Sequence, residues 1–450
     1  MMFEKKLLFV CVLFLIGVCI NAQNDDENNR RLRYPNHPPN CCHNNILSRS
    51  YYNRSNTVNQ NNSTRGNTEE TSGSTAITTT RTSTRGTHTV SFNINGGMGI
   101  VPSSQRVQGN SGIKLPNGSG FSFGDARFGG WIMYVDNMEK IVSQDSPFTP
   151  TGNITLYAKW ELDVTDINSA TGLANKLVWL QNNVQSGGNY IIELNANERI
   201  GPQFLSYPGK NNITITFRGI GTNRTINFAT RQYSNSLIIG SGVTVVLDNN
   251  VFLQTNHDRP FIGVFGTLIM NNGSTITCNG DLGVEVSGGT FTMNGGTITG
   301  CKTGVVVGLI GGGQNSSGTF TMNGGTITRN NGSGVIVALG TFNMINGTIS
   351  NNIRMGDGAG VNVGTTFGNP GPAVFNMSGG SITGNESKSE ILRDGSRVYA
   401  RGGGVFVGNR NGKFTMTGGT ITGNKGDEGS NGVFASSGTF TNRGGTVQSD

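Results

Sequence analysis

Gly289-Thr290-Phe291-Thr292-Met293-Asn294-Gly295-Gly296-Thr297-Ile298-Thr299-Gly300 returns almost verbatim at 318–329, and in looser form from Gly340, Val374, Gly412 and Gly438. A unit this short cannot enclose a hydrophobic core, so it must stack on copies of itself. Within the copy at 318–339, Phe320 and Met322 alternate with Thr319, Thr321 and Asn323. Ile327 then stands alone between Thr326 and Thr328, and Val335 and Val337 flank Ile336. The alternation gives each copy three short strands with one apolar face. Strands this short find their partners in the next copy, parallel and in register. Phe291, Phe320 and Phe342 are then superposed, as are Ile298, Ile327 and Ile349. The predicted fold is all-β, a right-handed parallel β-helix over 189–450.

Before the regular copies, short strands are expected at 190–194, 213–217, 225–228, 237–239, 243–247 and 261–264, in less regular rungs. Glycine-rich corners suit a chain that must enter positive φ, and asparagine is the next most tolerant residue. Asn279, Asn330, Asn351, Asn385 and Asn424 follow the Thr-Ile-Thr strands. They are expected to form a ladder of side-chain amides, with separate surface turns as the alternative.

The phenylalanines that occupy the repeat's first anchor position, at 291, 320, 342, 375 and 414, are 29, 22, 33 and 39 residues apart. The shortest interval is the minimal coil, so the excess must leave as loops, at 308–317, 353–360, 365–372, 386–401 and 425–431. Loops on a rigid scaffold are where recognition resides. The segment 386–401 is the longest and most charged. Its Glu386, Glu390, Arg393, Asp394, Arg397, Tyr399 and Arg401 are the candidate contact residues, with a tolerated insertion as the alternative.

The amino terminus has a different character. Lys5 and Lys6 precede an apolar run from Leu7 to Ile20 and then Asn21-Ala22-Gln23, which reads as a signal peptide over 1–22. The run is short for a membrane span and no second apolar segment follows. Ile16-Gly17-Val18-Cys19 faintly resembles a lipobox, making lipid anchoring at Cys19 a minority alternative. Residues 23–87, rich in Asn, Ser, Thr and Arg, read as a disordered polar linker. In 163–188, Leu173, Leu177, Leu180 and Val184 fall on one helical face, and Gly187-Gly188 ends it. A solenoid's open end exposes core and strand edges, so this helix is expected to cap it, with an independent linker helix as the alternative.

In 88–162, Val90, Phe92 and Ile94 share one face of a strand and Asn95-Gly96 signals a hairpin. Trp131, Leu156 and Trp160 supply a small core. The runs Thr89-Val90-Ser91-Phe92-Asn93-Ile94-Asn95-Gly96-Gly97, Val101-Pro102, Gly129-Gly130-Trp131 and Thr149-Pro150-Thr151-Gly152-Asn153-Ile154-Thr155-Leu156-Tyr157-Ala158-Lys159-Trp160 resemble the Listeria–Bacteroides repeat, also called the InlB B-repeat. The resemblance implies a β-grasp-like module of exported bacterial proteins, with no ligand motif to carry over. The sequence departs from the family at 125–127, where an aromatic is usual. The second half, in Gly402-Gly403-Gly404-Val405-Phe406-Val407 and 414–424, resembles the right-handed β-helix repeats of bacterial surface proteins. Treponemal proteins and polymorphic-outer-membrane-protein-like adhesins are among them.

The chain has 450 residues, 34% hydrophobic and only 13% charged, with 70 glycines. Gly, Asn, Thr and Ser carry its polarity, as suits a β-rich exported protein. The formal charge of +7 is spread without a basic run or an aromatic platform, and no nucleic-acid partner is expected. Four histidines and the absence of a Cys-x-x-Cys pair leave no zinc site, and no cofactor is expected. Outside the signal lie Cys41, Cys42, Cys278 and Cys301. The adjacent Cys41 and Cys42 suit intermolecular or mixed disulfides. Cys278 and Cys301 are one register apart in consecutive copies, where a bridge is within reach but separate buried thiols are the expectation.

β-Helices also carry polysaccharide lyases and glycosidases, which need clustered carboxylates. Asp248, Asp258, Asp281, Asp357 and Asp394 occupy different phases of the repeat. A catalytic group from Arg354, Asp357, Asp394, Arg397 and Arg401 would require two loops to converge. No catalytic, cofactor or metal residue is therefore assigned. The expectation is an exported surface protein, monomeric and without a membrane span after signal removal. It would act as an adhesin or interaction scaffold towards a protein or glycan of host or neighbouring cells. A structural envelope component and a lyase or glycosidase are the alternatives.

Overall fold

The computed structural model describes residues 86–447, apart from 136–137, 143–146, 163–165, 230–234, 256–260, 280–281, 309–315, 365–370, 394 and 428. The expected signal peptide, most of the linker, Cys41 and Cys42 lie outside the described residues.

The first body is a five-stranded mixed sheet of β1 (Thr87–Asn93), β2 (Gln105–Gln108), β3 (Arg127–Val135), β4 (Met138–Val142) and β5 (Ile154–Glu161), in the order β2-β1-β5-β3-β4. β1 and β5 run parallel, with Phe92 beside Leu156. Val90, Phe92, Trp131, Leu156 and Trp160 are buried as their alternation predicts. The Asn95-Gly96 turn forms with both residues at positive φ, but it is not a tight hairpin, because β1 pairs with a strand that begins only at Gln105. The turn is instead a docking point. Gln181 Nε2 donates to Asn95 O at 2.9 Å and Gln203 Nε2 donates to Gly96 O at 2.9 Å.

Helix α1 (Gly172–Asn183) buries Leu173, Leu177 and Leu180, and Val184 is buried just beyond it. Its apolar face lies over the first coil, and Glu198 of that coil accepts from the Leu173 N–H at 3.1 Å. A carboxylate at the helix amino end also complements the helix dipole. The other face holds the module: Asn182 Nδ2 donates to Trp160 O at 3.0 Å, and Asn175 Nδ2 to Asp125 Oδ2 at 2.7 Å. The helix is thus a cap, as expected, wedged between module and solenoid.

Beyond it the chain winds into three parallel sheets, of ten, ten and nine strands. Each of the first nine coils gives one strand to each sheet, and the tenth gives one to sheets 1 and 2 among the described residues; the first coil supplies Asn189–Leu194 to sheet 1, Glu198–Ile200 to sheet 2 and Gln203–Leu205 to sheet 3. The early coils are as well registered as the later ones, with Val243 to Leu247 pairing with Ile213 to Phe217 without a slip. This corrects the expectation of irregular first rungs. Strict β-alternation is enough for register, even where the glycine-threonine sentence is absent.

Inside, the rings of Phe291, Phe320, Phe342, Phe375 and Phe414 stack at 4.7, 4.8, 4.7 and 4.5 Å between centroids, their planes within 10° of parallel. Ile298, Ile327, Ile349, Ile382 and Ile421 form a second file. Both files are fully buried.

The asparagine ladder is present but shifted. Asn330, Asn352, Asn385 and Asn424 are buried, and each accepts at Oδ1 from the residue one coil earlier. Asn351 is not a member. It holds the left-handed corner at φ 54°, as Arg329 does, and Gly384 and Gly423 hold the same corner in later coils. Asn279 is likewise outside the ladder, exposed and donating its N–H to Thr255 O at 3.1 Å. The corner and the ladder are adjacent positions with different demands: one needs positive φ, the other a planar amide turned inward.

Cys278 and Cys301 form a disulfide with Cα atoms 4.8 Å apart, contrary to the expectation of separate thiols. The one-register offset is offset in turn by the corner at Gly300, which turns Cys301 back into the core beside Cys278.

Candidate interaction site at three stacked loops

The segments 353–360, 386–401 and 425–431 all leave between sheet 2 and sheet 3, in three successive coils, so stacking of the coils brings them together. Their first residues make a short extra parallel ladder. Ile353–Met355 pairs with Glu386–Lys388, and Glu386 bridges to Lys425. Alternation along this ladder sends Arg354 and Ser387 inward, and Ile353, Met355 and Lys388 outward. Glu390–Ile391 and Arg397–Val398 then form a small antiparallel hairpin.

Beneath the ladder the polar groups are tightly matched. Arg401 donates from its backbone N–H and Nε to Asp357 Oδ1, at 2.8 and 3.2 Å, and from Nη2 to Oδ2 at 2.9 Å. Its guanidinium lies 5.0 Å from the Phe434 ring centroid and 5.4 Å from that of Phe406. A planar cation can satisfy a carboxylate and aromatic faces together, which a lysine could not. Arg354 donates to Ser333 Oγ at 2.6 Å, and Ser333 donates to Gly358 O at 2.6 Å. Burial pulls the Arg354 pKa down, and the Asp357 charge partly opposes this. Asn362 Nδ2 donates to Asp357 O at 2.9 Å.

Above, Arg397 pairs with Asp427 at 3.2 Å and lies 5.4 Å from the Tyr399 centroid. Ile353, Met355, Ile391 and Tyr399 are exposed at 39, 52, 75 and 48%. They make an apolar surface rimmed by Lys388, Glu390, Arg393 and Arg397, all exposed. Apolar and aromatic side chains with arginine at the margin are the composition of protein-binding surfaces.

The seven candidate residues therefore do not share one role. Glu390, Arg393, Arg397 and Tyr399 face out. Glu386 is half-buried in the extra ladder and pairs with Lys388 at 3.3 Å. Arg401 turns inward and bolts the loops together through Asp357. Asp394 lies outside the described residues. Arg354, Asp357 and Arg401 are brought together because the loops do converge, whereas Arg397 takes Asp427 instead. Ile353, Met355 and Ile391 were missed. The signal was there: the three loops end on Gly360-Val361-Asn362-Val363, Gly404-Val405-Phe406-Val407 and the close variant Gly432-Val433-Phe434-Ala435, which puts all three at one corner.

Among the described residues no helix is long and apolar enough to cross a membrane. Residues 88–159 match the family model of the Listeria–Bacteroides repeat domain. Comparison with curated proteins and with solved structures finds no match. The module at 88–159 is a Listeria–Bacteroides repeat, of a kind typical of bacterial surface proteins, and it is followed by a parallel β-helix.

Proposed function

We propose that this is an exported bacterial surface protein, an adhesin or interaction scaffold without catalytic activity, whose β-helix presents the stacked loops to a partner on another cell. The observation that carries the reading is the exposed group Ile353, Met355, Ile391 and Tyr399 held on a rigid three-coil support. The neighbouring carboxylates support a non-catalytic reading: Asp357 and Asp427 are engaged by Arg401 and Arg397. The partner class is a host or neighbouring-cell surface protein, or a glycan.

The test is saturable binding of the full chain to cells and to protein and glycan arrays, with Ile391→Asp and Tyr399→Ala measured alongside. Both variants should melt as the parent does and lose binding. Undiminished binding by both would remove the loops from the reading. Release of unsaturated or reducing sugars from a polysaccharide panel would replace the scaffold by an enzyme.

A further inference from the structure

The corner between sheet 1 and sheet 2 carries a feature independent of the loops. In two regular coils the chain turns there through Met293-Asn294-Gly295-Gly296-Thr297 and Met322-Asn323-Gly324-Gly325-Thr326, and the next coil reads Met344-Ile345-Asn346-Gly347-Thr348. Met322 pairs with Met344 and Thr326 with Thr348, so Ile345 stands where the other coils have asparagine, and the asparagine has moved on by one place. That shift changes what it touches.

In the regular coils both parts of the Asn-Gly pair are tied down. Asn294 Nδ2 donates to Asn271 Oδ1 at 3.1 Å, and Asn323 Nδ2 donates to Asn294 Oδ1 at 2.9 Å. The N–H groups of Gly295 and Gly324 donate to Met270 O and Met293 O, each at 3.2 Å. In the shifted coil the backbone bond falls to Asn346 itself, whose N–H donates to Met322 O at 3.2 Å, and its side chain is exposed. The Gly347 N–H donates instead to Oδ1 of Asn346 at 2.8 Å. Nδ2 of Asn346 has no partner among the described residues.

Asn-Gly occurs ten times in the chain, and the glycine is described in nine of these pairs. Among the nine, only Gly347 donates its N–H to the side chain of the asparagine before it. Elsewhere another group holds one of the two partners: Asn117 Oδ1 accepts from the Ser119 N–H, Asn431 Oδ1 accepts from the Gly426 N–H, and the Gly412 N–H donates to Asn409 O. A bond from the Gly347 N–H to Oδ1 holds the glycine nitrogen beside Cγ, the carbon bearing both oxygen and amide, at a near-attack separation of about 3–3.5 Å. Glycine has no Cβ to obstruct closure of a ring. The exposed corner lets hydroxide reach the N–H and lets ammonia leave.

We infer that Asn346 is a site of spontaneous covalent modification, at which the Gly347 nitrogen closes on Asn346 Cγ to form a succinimide that water opens to aspartate or isoaspartate. Hydroxide removes the Gly347 N–H proton, the nitrogen bonds to Cγ, and the Cγ–Nδ2 bond breaks, ammonia leaving with a proton from water. Water then adds to one of the two ring carbonyls. Rupture of the Cγ–N bond gives aspartate in an unaltered chain, whereas rupture of the backbone C–N bond gives isoaspartate, with one more atom in the main chain. One water is consumed and one ammonia released, and nothing is oxidised or reduced. Either product puts a carboxylate where the parent has a neutral amide. Isoaspartate also lengthens the backbone directly before Thr348–Ser350, a strand paired on both sides.

The experiment holds the full chain at mildly alkaline pH and maps its peptides over time, following the mass gain of amide-to-acid conversion and methyl transfer by an isoaspartate-specific methyltransferase. Asn346 should convert about tenfold faster than Asn294 and Asn323, with isoaspartate among its products. The same chain, reduced and unfolded in guanidinium chloride, should convert all three at similar rates, because the preference comes from the fold and not from the Asn-Gly pair. Asn346→Gln, whose longer side chain would have to close a six-membered ring, should stay unmodified at this position and melt as the parent does. Conversion of Asn346 no faster than that of Asn294 or Asn323 in the folded chain overturns the proposal. So does the same preference in the unfolded chain, or earlier conversion at Asn272 or Asn331 in the folded one.

Discussion

The backbone N–H of Cys301 donates to Asn330 Oδ1 at 3.0 Å, the same bond that Asn330 makes to Asn352, Asn352 to Asn385, and Asn385 to Asn424. Cys301 therefore stands in the first position of the ladder, and its side chain bonds to Cys278 one coil earlier instead of continuing the amides. A non-covalent file of amides is closed at one end by a covalent link between coils.

Asn352→Ala tests the ladder. Asn352 Oδ1 accepts from both the N–H and Nδ2 of Asn330, while its own Nδ2 donates to Asn385 Oδ1 at 2.8 Å and Ile327 O at 3.2 Å. Truncation leaves buried groups without partners, and the expected loss is about 3 kcal/mol in urea unfolding. The neighbouring Asn351→Gly should be close to neutral, because a positive φ costs glycine little.

Loss of the disulfide should be felt through the unfolded chain. The link joins residues 23 apart, and Cys278→Ser should lower stability by about 3 kcal/mol. Mass analysis of unfolded, unreduced protein treated with a thiol reagent should find Cys278 and Cys301 unmodified.

Phe342→Ala interrupts the aromatic file between Phe320 and Phe375 and leaves a cavity in the buried core. The expected cost is about 3–5 kcal/mol. Phe342→Leu restores most of the volume and should recover more than half of the loss in thermal melting.

Asp357→Asn weakens the group that aligns Arg401. Charge-assisted hydrogen bonds of this kind are worth about 2 kcal/mol. The loss is local, so the melting temperature should move little, while limited proteolysis within 386–401 should accelerate several-fold.

Glu285 tests the electrostatics of sheet 3. It lies beside Gly263 and Val306, and burial raises its pKa against a lowering hydrogen bond from Ser287 Oγ. With the folded pKa above the unfolded one, the native state holds the proton longer, so stability falls as pH rises from the unfolded to the folded value. Glu285→Gln should therefore be more stable than the parent at neutral pH, and the difference should shrink in acid.

The repeat made the coils legible because stacking identical side chains has one economical solution: Phe over Phe and Ile over Ile. The cap was legible for a related reason, since an amphipathic helix before an open-ended solenoid has one obvious place to lie. Asn351 was misassigned because composition cannot separate a corner from its neighbour, and the two differ only in backbone geometry. The Asn95-Gly96 turn was read as a hairpin because local propensity does not reveal that its carbonyls are taken by Gln181 and Gln203.

By itself, then, the sequence determined the β-helix, its register, its cap and the repeat module at 88–159, because each follows from periodicity and short-range packing. Tertiary structure alone decided that Arg401 turns inward while Tyr399 remains outside, that Cys278 meets Cys301, and that three loops separated along the chain share one surface. Those outcomes depend on which groups neighbouring coils bring within a few ångströms, and chain order does not carry that distance.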